Sequence, residues 1–275
     1  MNRKSTKDRA QILRCLVEGN SIRSTSRITG ASKNTVTKLL VEVGKACSDY
    51  QNEHLTNLNC KRIQCDEIWS FVYSKKKNVP ERKKGQFGYG DIYTWTALDP
   101  DSKLMVSYMV GERTEEYASA FIADLAPRLN SKVQMTTDGL KLYLEAVEES
   151  FGADVDYAML IKVYGNASKE GQKRYGPAEF TGTEKKAITG DPIKEDICTS
   201  HVERQNLTMR MGMRSFTRLT NAFSKKVENH EHAVSLHFMY YNFCRIHKTI
   251  KTTPAMEAGV TDRLWDLEDI AGLVD

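Results

Sequence analysis

Ile63-Gln64-Cys65-Asp66-Glu67-Ile68-Trp69-Ser70-Phe71-Val72-Tyr73 is the stretch on which the fold turns. Its density of β-branched and aromatic residues reads as a strand. Two adjacent acids sit inside it, and an acid in an apolar strand is costly unless it is paired or binds a cation. Working outward, residues 92–98 and 104–110 read as two further strands, joined at Asp99-Pro100-Asp101-Ser102, a strong turn signal. Thr114 can cap a helix through Tyr117, Phe121, Ile122 and Leu125. Residues 133–137 make a short strand ending at Asp138-Gly139, followed by a helix over about 140–151 and a strand around 157–164. Three consecutive strands, then helices alternating with strands, is the ribonuclease-H-like plan: an α/β fold with a mixed sheet flanked by helices. Residues 165–200, with five Gly and two Pro, read as an inserted loop or short hairpin. The pattern over 201–247 is helical again, and the tail, 251–275, is short and mixed.

The charge is uneven along the 275 residues. The total is a mild +4, yet residues 1–45 carry ten Lys and Arg against three acids, a net +7, and the remainder is net −3. Phosphate neutralisation needs local charge, so a basic head on a weakly acidic body points to a separate nucleic-acid-binding module. The head also has helical periodicity. Ile12, Leu13, Leu16 and Val17 end at Glu18-Gly19-Asn20, and a second short helix fits 21–29, closed by Gly30. Ser32 can cap a third helix, with Val36, Leu39, Leu40 and Val43 on one face. Three short helices with a Gly-containing turn before the last is the helix-turn-helix pattern. The last helix presents Lys33, Asn34, Thr35, Thr37 and Lys38 for base edges and phosphates.

The expected organisation is therefore a small all-α helix-turn-helix domain at 1–46 and a polar segment at 47–60, read as a linker or short helix. A catalytic body follows at 61–250, with its insertion at 165–200, then the tail at 251–275. No apolar run approaches the roughly 18 residues of a membrane span. The N-terminal segment lacks the apolar stretch of a secretory signal. Six Cys without a paired rhythm suit reduced thiols, so a cytoplasmic protein with no membrane partner is expected. Cys60, Cys65, Cys198 and His201 lack the spacing of a zinc knuckle. Tyr240, Tyr241, Arg245 and His247 crowd one helical stretch, which favours core packing over a tyrosine-recombinase site.

Three acids fall at telling places: Asp66 in the first strand, Asp138 at the end of the fourth, and Glu203 at the start of the last helical stretch. Carboxylates from two strands and a helix can hold paired Mg²⁺ ions. Asp66 and Glu67 face opposite sides of their strand, and pattern alone does not say which faces the metals. Arg210, Arg214 and Arg218 follow Glu203 at seven, eleven and fifteen residues. At roughly 100° per residue a continuous helix would place all three near the face of Glu203. Such a basic stripe suits a DNA backbone.

The segments CDEIWSFVYSKKK, MTTDGLKLY, HVERQNLTMRMGMRSFTR and FSKKVENHEHAVSLHFMYYN resemble the DDE transposases of the insertion sequence 1 family. The likeness runs from about 60 to 247, and the tail IHKTIKTTPAMEAG is similar to the ends of many such enzymes. The resemblance implies a catalytic and metal-binding triad of Asp66, Asp138 and Glu203, using Mg²⁺ with Mn²⁺ able to substitute, in two ions. It implies cleavage at transposon ends, joining of 3′-ends to target DNA, and a homodimer or higher oligomer in the synaptic complex. The long 165–200 stretch departs from compact members, so Glu203 is assigned by its local motif. A DNA-binding regulator with a silent ribonuclease-H-like domain, or a structure-selective nuclease, are the competing functional readings.

Overall fold

The structure, a computed structural model, describes residues 4–165, 180–217 and 221–275. Among the described residues one sheet contains β1 (Arg62–Val72), β2 (Gly90–Leu98), β3 (Met105–Gly111), β4 (Val133–Asp138), β5 (Val155–Tyr164) and β6 (Phe180–Thr189). The spatial order is β3-β2-β1-β4-β5-β6. The β1–β4 and β4–β5 pairings are parallel, and β1–β2, β2–β3 and β5–β6 are antiparallel. This is the mixed α/β sheet expected from the strand order. β6 arises within the expected insertion and pairs with β5 as an added edge strand. Its polar, largely exposed residues carry no apolar alternation, as suits an edge that must not aggregate. Residues 166–179 of the insertion lie outside the described residues.

Helices cover both faces. α4 (Glu115–Leu125) and α5 (Leu142–Phe151) bring Phe121, Ile122, Leu125, Tyr143 and Val147 into a core with Ile63, Cys65, Trp95 and Met135. On the other face, α6 (Ser200–Gly212) and α7 (Val227–Met239) bring Val202, Met209, Val234 and Phe238 together with Ile68, Leu98 and Met105.

The head is built from α1 (Thr6–Val17), α2 (Ile22–Thr29) and α3 (Lys33–His54). Ser5, Ser21 and Ser32 cap them, each hydroxyl accepting the backbone N–H three residues on. The expected face of Val36, Leu39, Leu40 and Val43 is buried. The helix does not stop there. α3 continues to His54 through most of the segment expected as a linker or short helix, burying Gly44, Cys47 and Gln51. At Gly44 it touches α7: an added Cβ would stand 2.5 Å from Cβ of His232. Head and body consequently share one apolar core, from Leu13 through Val43 and Cys47 to Trp95 and Phe121. The tail joins the same core through Trp265 and through Leu267 and Ile270 of a short helix, α9 (Leu267–Gly272), which follows the one-turn α8 (Pro254–Glu257).

The helical stretch expected over 201–247 is broken. α6 ends at Gly212, a 3-10 turn spans Arg214–Phe216, and α7 passes into a π-helical turn at Tyr240–Cys244. Met213 turns extended and buries its side chain, 6% exposed, which ends α6. Gly212 abuts the head at Gly19, where an added Cβ would lie 3.1 Å from the Gly212 carbonyl oxygen. Gly19 also has φ +76, so this junction requires glycine twice over.

Candidate active site

Gln64 of β1 sits beside Thr136 of β4 in the parallel register. Two residues further along each strand, on the same face, stand Asp66 and Asp138. Asp138 ends its strand, and its Oδ1 accepts the Leu140 N–H at 2.9 Å. α6 packs over this face and is tied to β1 at two points. Gln64 Oε1 accepts the N–H groups of His201 and Val202 at 3.0 and 3.1 Å, satisfying amides at the helix start. Asn206 Nδ2 donates to Asp66 Oδ2 at 2.8 Å. Glu203 lies between the two ties. Asp66, Asp138 and Glu203 all line one cleft of about 680 Å³, with Arg113 and Lys162. It opens at the carboxyl end of β4 beside the middle of β1, between the two strands where the strand order switches, a place where open α/β sheets commonly take ligands.

One oxygen each from Asp66, Glu67 and Asp138 lie within 4.8 Å of one another, the only such acid group among the described residues. Asp66 faces α6, while Glu67 faces the α5 side. The Glu67 side chain is 2% exposed, pairs with Arg113 at 2.5 Å and accepts from the Tyr143 hydroxyl at 3.3 Å. Glu203 stands apart from that group. Its Oε1 is held by Lys162 Nζ at 2.8 Å and by the Thr199 hydroxyl at 2.6 Å.

Burial, then the charge of Asp138, pushes the Asp66 carboxyl up to about 6, against hydrogen bonds from the Glu67 amide and Asn206 that favour its charged form. Burial, then Asp138, pushes Glu67 up to about 7, with the Arg113 guanidinium pulling the other way. Crowded carboxylates with displaced titrations are the oxygen donors a hard divalent cation takes, and a cation there would relieve their repulsion. The residues present fit such an ion.

Other expected residues are dispersed. Arg210 remains on α6 with Glu203. Arg214 does not extend a helical stripe: it stands on the turn after α6 and lines a second cleft, shared with Lys33 and Thr37. Arg218 lies outside the described residues. Asn34 and Lys38 are exposed, Lys38 pairing with Glu42 at 3.6 Å. The Thr35 hydroxyl bonds Ser32 at 2.9 Å, and that of Thr37 donates to the Lys33 carbonyl at 3.0 Å. His201 Nδ1 lies 3.3 Å from Lys103 Nζ, and His201 is not among the residues lining the acid cleft. Tyr241 is buried and donates to the Lys103 carbonyl at 2.9 Å, a packing role.

Solved transposases are among the structures this chain resembles. A piggyBac transposase synaptic complex with hairpin DNA aligns over 99% of this chain and 71% of its own, at 11% identity and a TM-score of 0.45. A Mos1 transposase paired-end complex aligns over 54% and 58%, at 11% identity and a TM-score of 0.22. A Mos1 strand transfer complex aligns over 87% and 76%, at 10% identity and a TM-score of 0.26. No family model and no curated protein matches the sequence.

Four residues of the site escape sequence reasoning: Gln64, Arg113, Tyr143 and Lys162. Gln64 carried a signal, being polar in a strand at two residues from Asp66 and so on its face. Lys162 carried a weaker one. Leu160 pairs with Asp138, and Lys162 is two residues further along β5, but that register is invisible without the sheet. Arg113 and Tyr143 come from a loop and a helix whose approach to Glu67 has no local signature.

Proposed function

We propose that this chain is a DDE-type DNA transposase of the insertion sequence 1 family, acting on the terminal inverted repeats of an insertion sequence by metal-dependent cleavage and strand transfer. The observation that carries this reading is the meeting of Asp66, Asp138 and Glu203, from two strands and a helix, at one cleft. Asp66 and Asp138, with Glu203, would hold Mg²⁺ or Mn²⁺, in two ions. When bound, such ions activate water or a DNA 3′-hydroxyl and stabilise the leaving oxygen of a phosphodiester. The chain's own contribution is positional. Gln64 and Asn206 fix α6 against β1, and so set where Glu203 stands relative to Asp66. Lys162 neutralises Glu203 and keeps a cation beside the cleft. Lys33, Asn34, Thr35, Thr37 and Lys38 of α3 would read the repeat, within a helix-turn-helix head at 1–46, with Arg210 and Arg214 on the backbone. Synapsis of two DNA ends calls for at least a dimer.

The direct test is incubation of the full chain with DNA carrying inverted repeats that bracket its reading frame. The expected result is Mg²⁺-dependent scission at the repeat boundary, leaving 3′-hydroxyl ends that join a target. Repeat binding without scission in Mg²⁺ or Mn²⁺ would favour the regulator, a reading to which the Lys162–Glu203 pair lends some support. Scission without joining of pre-cut ends would favour a nuclease.

Ion binding has an expected pH signature. The Asp66 carboxyl is raised to about 6, so a proton competes with the ion below neutrality. Affinity for Mn²⁺ should fall about tenfold per pH unit below pH 6 for each proton displaced, and level off above about pH 7. Calorimetry in two buffers of different ionisation enthalpy measures the proton release. In the same titration, Lys162→Met should tighten Mn²⁺ binding about three- to tenfold, because the ammonium and the ion compete for Glu203. Proton-neutral binding, or a Lys162→Met protein with unchanged affinity, would count against this arrangement.

A further inference from the structure

A second cleft, of about 890 Å³, separates head from body. The starts of α2 and α3 supply Arg23 and Lys33, and the body supplies Arg214, Lys225 and His237. The four cations are exposed, and no carboxylate occurs among the described lining residues. None of the four makes an ion pair with a described residue. Lys225 lies flat over Phe223, its Nζ 3.9 Å from the ring centroid, which holds the ammonium at the cleft wall. Like charges gathered around a concavity without counter-ions focus a positive potential into it.

A second observation is independent of charge. His237 of α7 lies at the cleft, 5% exposed, and neither ring nitrogen has a hydrogen-bond partner among the described residues. Buried polar groups without partners are rare and mark places where a ligand or water completes the set. A neutral imidazole offers one donor and one acceptor, and the donor suits a phosphate oxygen. The axis of α2 adds its amino-terminal dipole, because Ser21 and Ile22 also face the space.

We infer that this cleft is a phosphate-binding site that takes the phosphodiester backbone of a nucleic acid, with Arg23, Lys33, Arg214 and Lys225 on its oxygens above His237. The choice of a nucleic acid as the source of the phosphate rests on the proposed function; the phosphate chemistry does not. A strand held there contacts head and body at once, so binding couples the two. Arg23, Lys225 and His237 are new to the DNA-contacting set, and the site lies apart from the carboxylates.

The test measures binding of the full-length wild type and of Arg23→Gln/Lys225→Gln to a 30-base-pair duplex across salt concentrations, and to pyrophosphate by calorimetry. Both replaced residues are exposed, and unchanged unfolding midpoints confirm an intact fold. For the double variant the duplex affinity should drop about tenfold at low salt, and the slope of log affinity against log salt should lessen by about 2, as for two lost phosphate contacts. His237→Phe, which keeps the ring's shape, should weaken pyrophosphate binding about threefold without changing the salt slope. Loss of pyrophosphate binding with duplex binding untouched keeps the phosphate site and assigns it to a small phosphate compound. Unchanged binding of both probes by the double variant overturns the proposal. Failure of Mg²⁺-dependent scission with this binding intact would sink the transposase reading alone.

Discussion

Asp66→Asn, Asp138→Asn and Glu203→Gln are each expected to lower metal-dependent cleavage and joining of terminal-repeat DNA by about 10³-fold or more, while repeat binding stays within about twofold. Each exchange keeps shape and removes the charge that would hold an ion. Repeat binding should survive because α3 and the basic cleft lie outside the acid cleft. The Asp66 and Asp138 variants should not be destabilised. Burial, and then repulsion from Asp138 on the neighbouring strand, raises the titration of Asp66, so losing one charge relieves a cost already present. Unfolding midpoints equal to or above the wild type are therefore expected alongside lost activity. Glu67→Gln discriminates between two ligand sets. Glu67 lies close to Asp66 and Asp138 but is already engaged by Arg113 and Tyr143. A loss of no more than about tenfold is expected there. An inactive Glu67→Gln beside an active Glu203→Gln would move the third ligand from α6 to β1.

Leu13→Ala, far from the acids, is expected to destabilise the whole molecule by about 2–5 kcal/mol. Leu13 is fully buried, in the same apolar core that contains Trp95 and Phe121 under the sheet. All three tryptophans, Trp69, Trp95 and Trp265, belong to the body or tail. Their fluorescence should nevertheless follow the shifted denaturant midpoint, together with far-ultraviolet circular dichroism, in one transition. Deletion of residues 1–46 should leave a body without cooperative unfolding, because the second half of α3 would lose its other half and α7 part of its cover. Tryptophan signals indifferent to Leu13→Ala would show a head that melts by itself, as a linker at 47–60 would have allowed.

That contrast shows what the sequence made legible. The strands around Asp66 and Asp138 were readable because their apolar residues alternate or cluster on the period of a sheet. The cap at Ser32 was readable because a short hydroxyl side chain favours a helix start. α3 beyond Val43 was not, since its buried positions there are Gly44, Cys47 and Gln51, small or polar residues without an apolar stripe. The break at Gly212–Met213 was hidden for the opposite reason, because apolar and basic residues continue in helical rhythm through a segment that tertiary packing turns aside. That misreading put Arg214 on the face of Glu203, whereas it stands across from Lys33. Within the site, the identity of the acids was legible, but the Lys162–Glu203 and Arg113–Glu67 pairs depend on strand register and loop path.

Anomalous diffraction from crystals of the full chain soaked in Mn²⁺ tests the central claim most directly. The predicted result is a peak in the acid cleft within about 2.0–2.3 Å of carboxylate oxygens from both Asp66 and Asp138. A saturated crystal with that cleft empty, or with Mn²⁺ bound only elsewhere, would contradict the account.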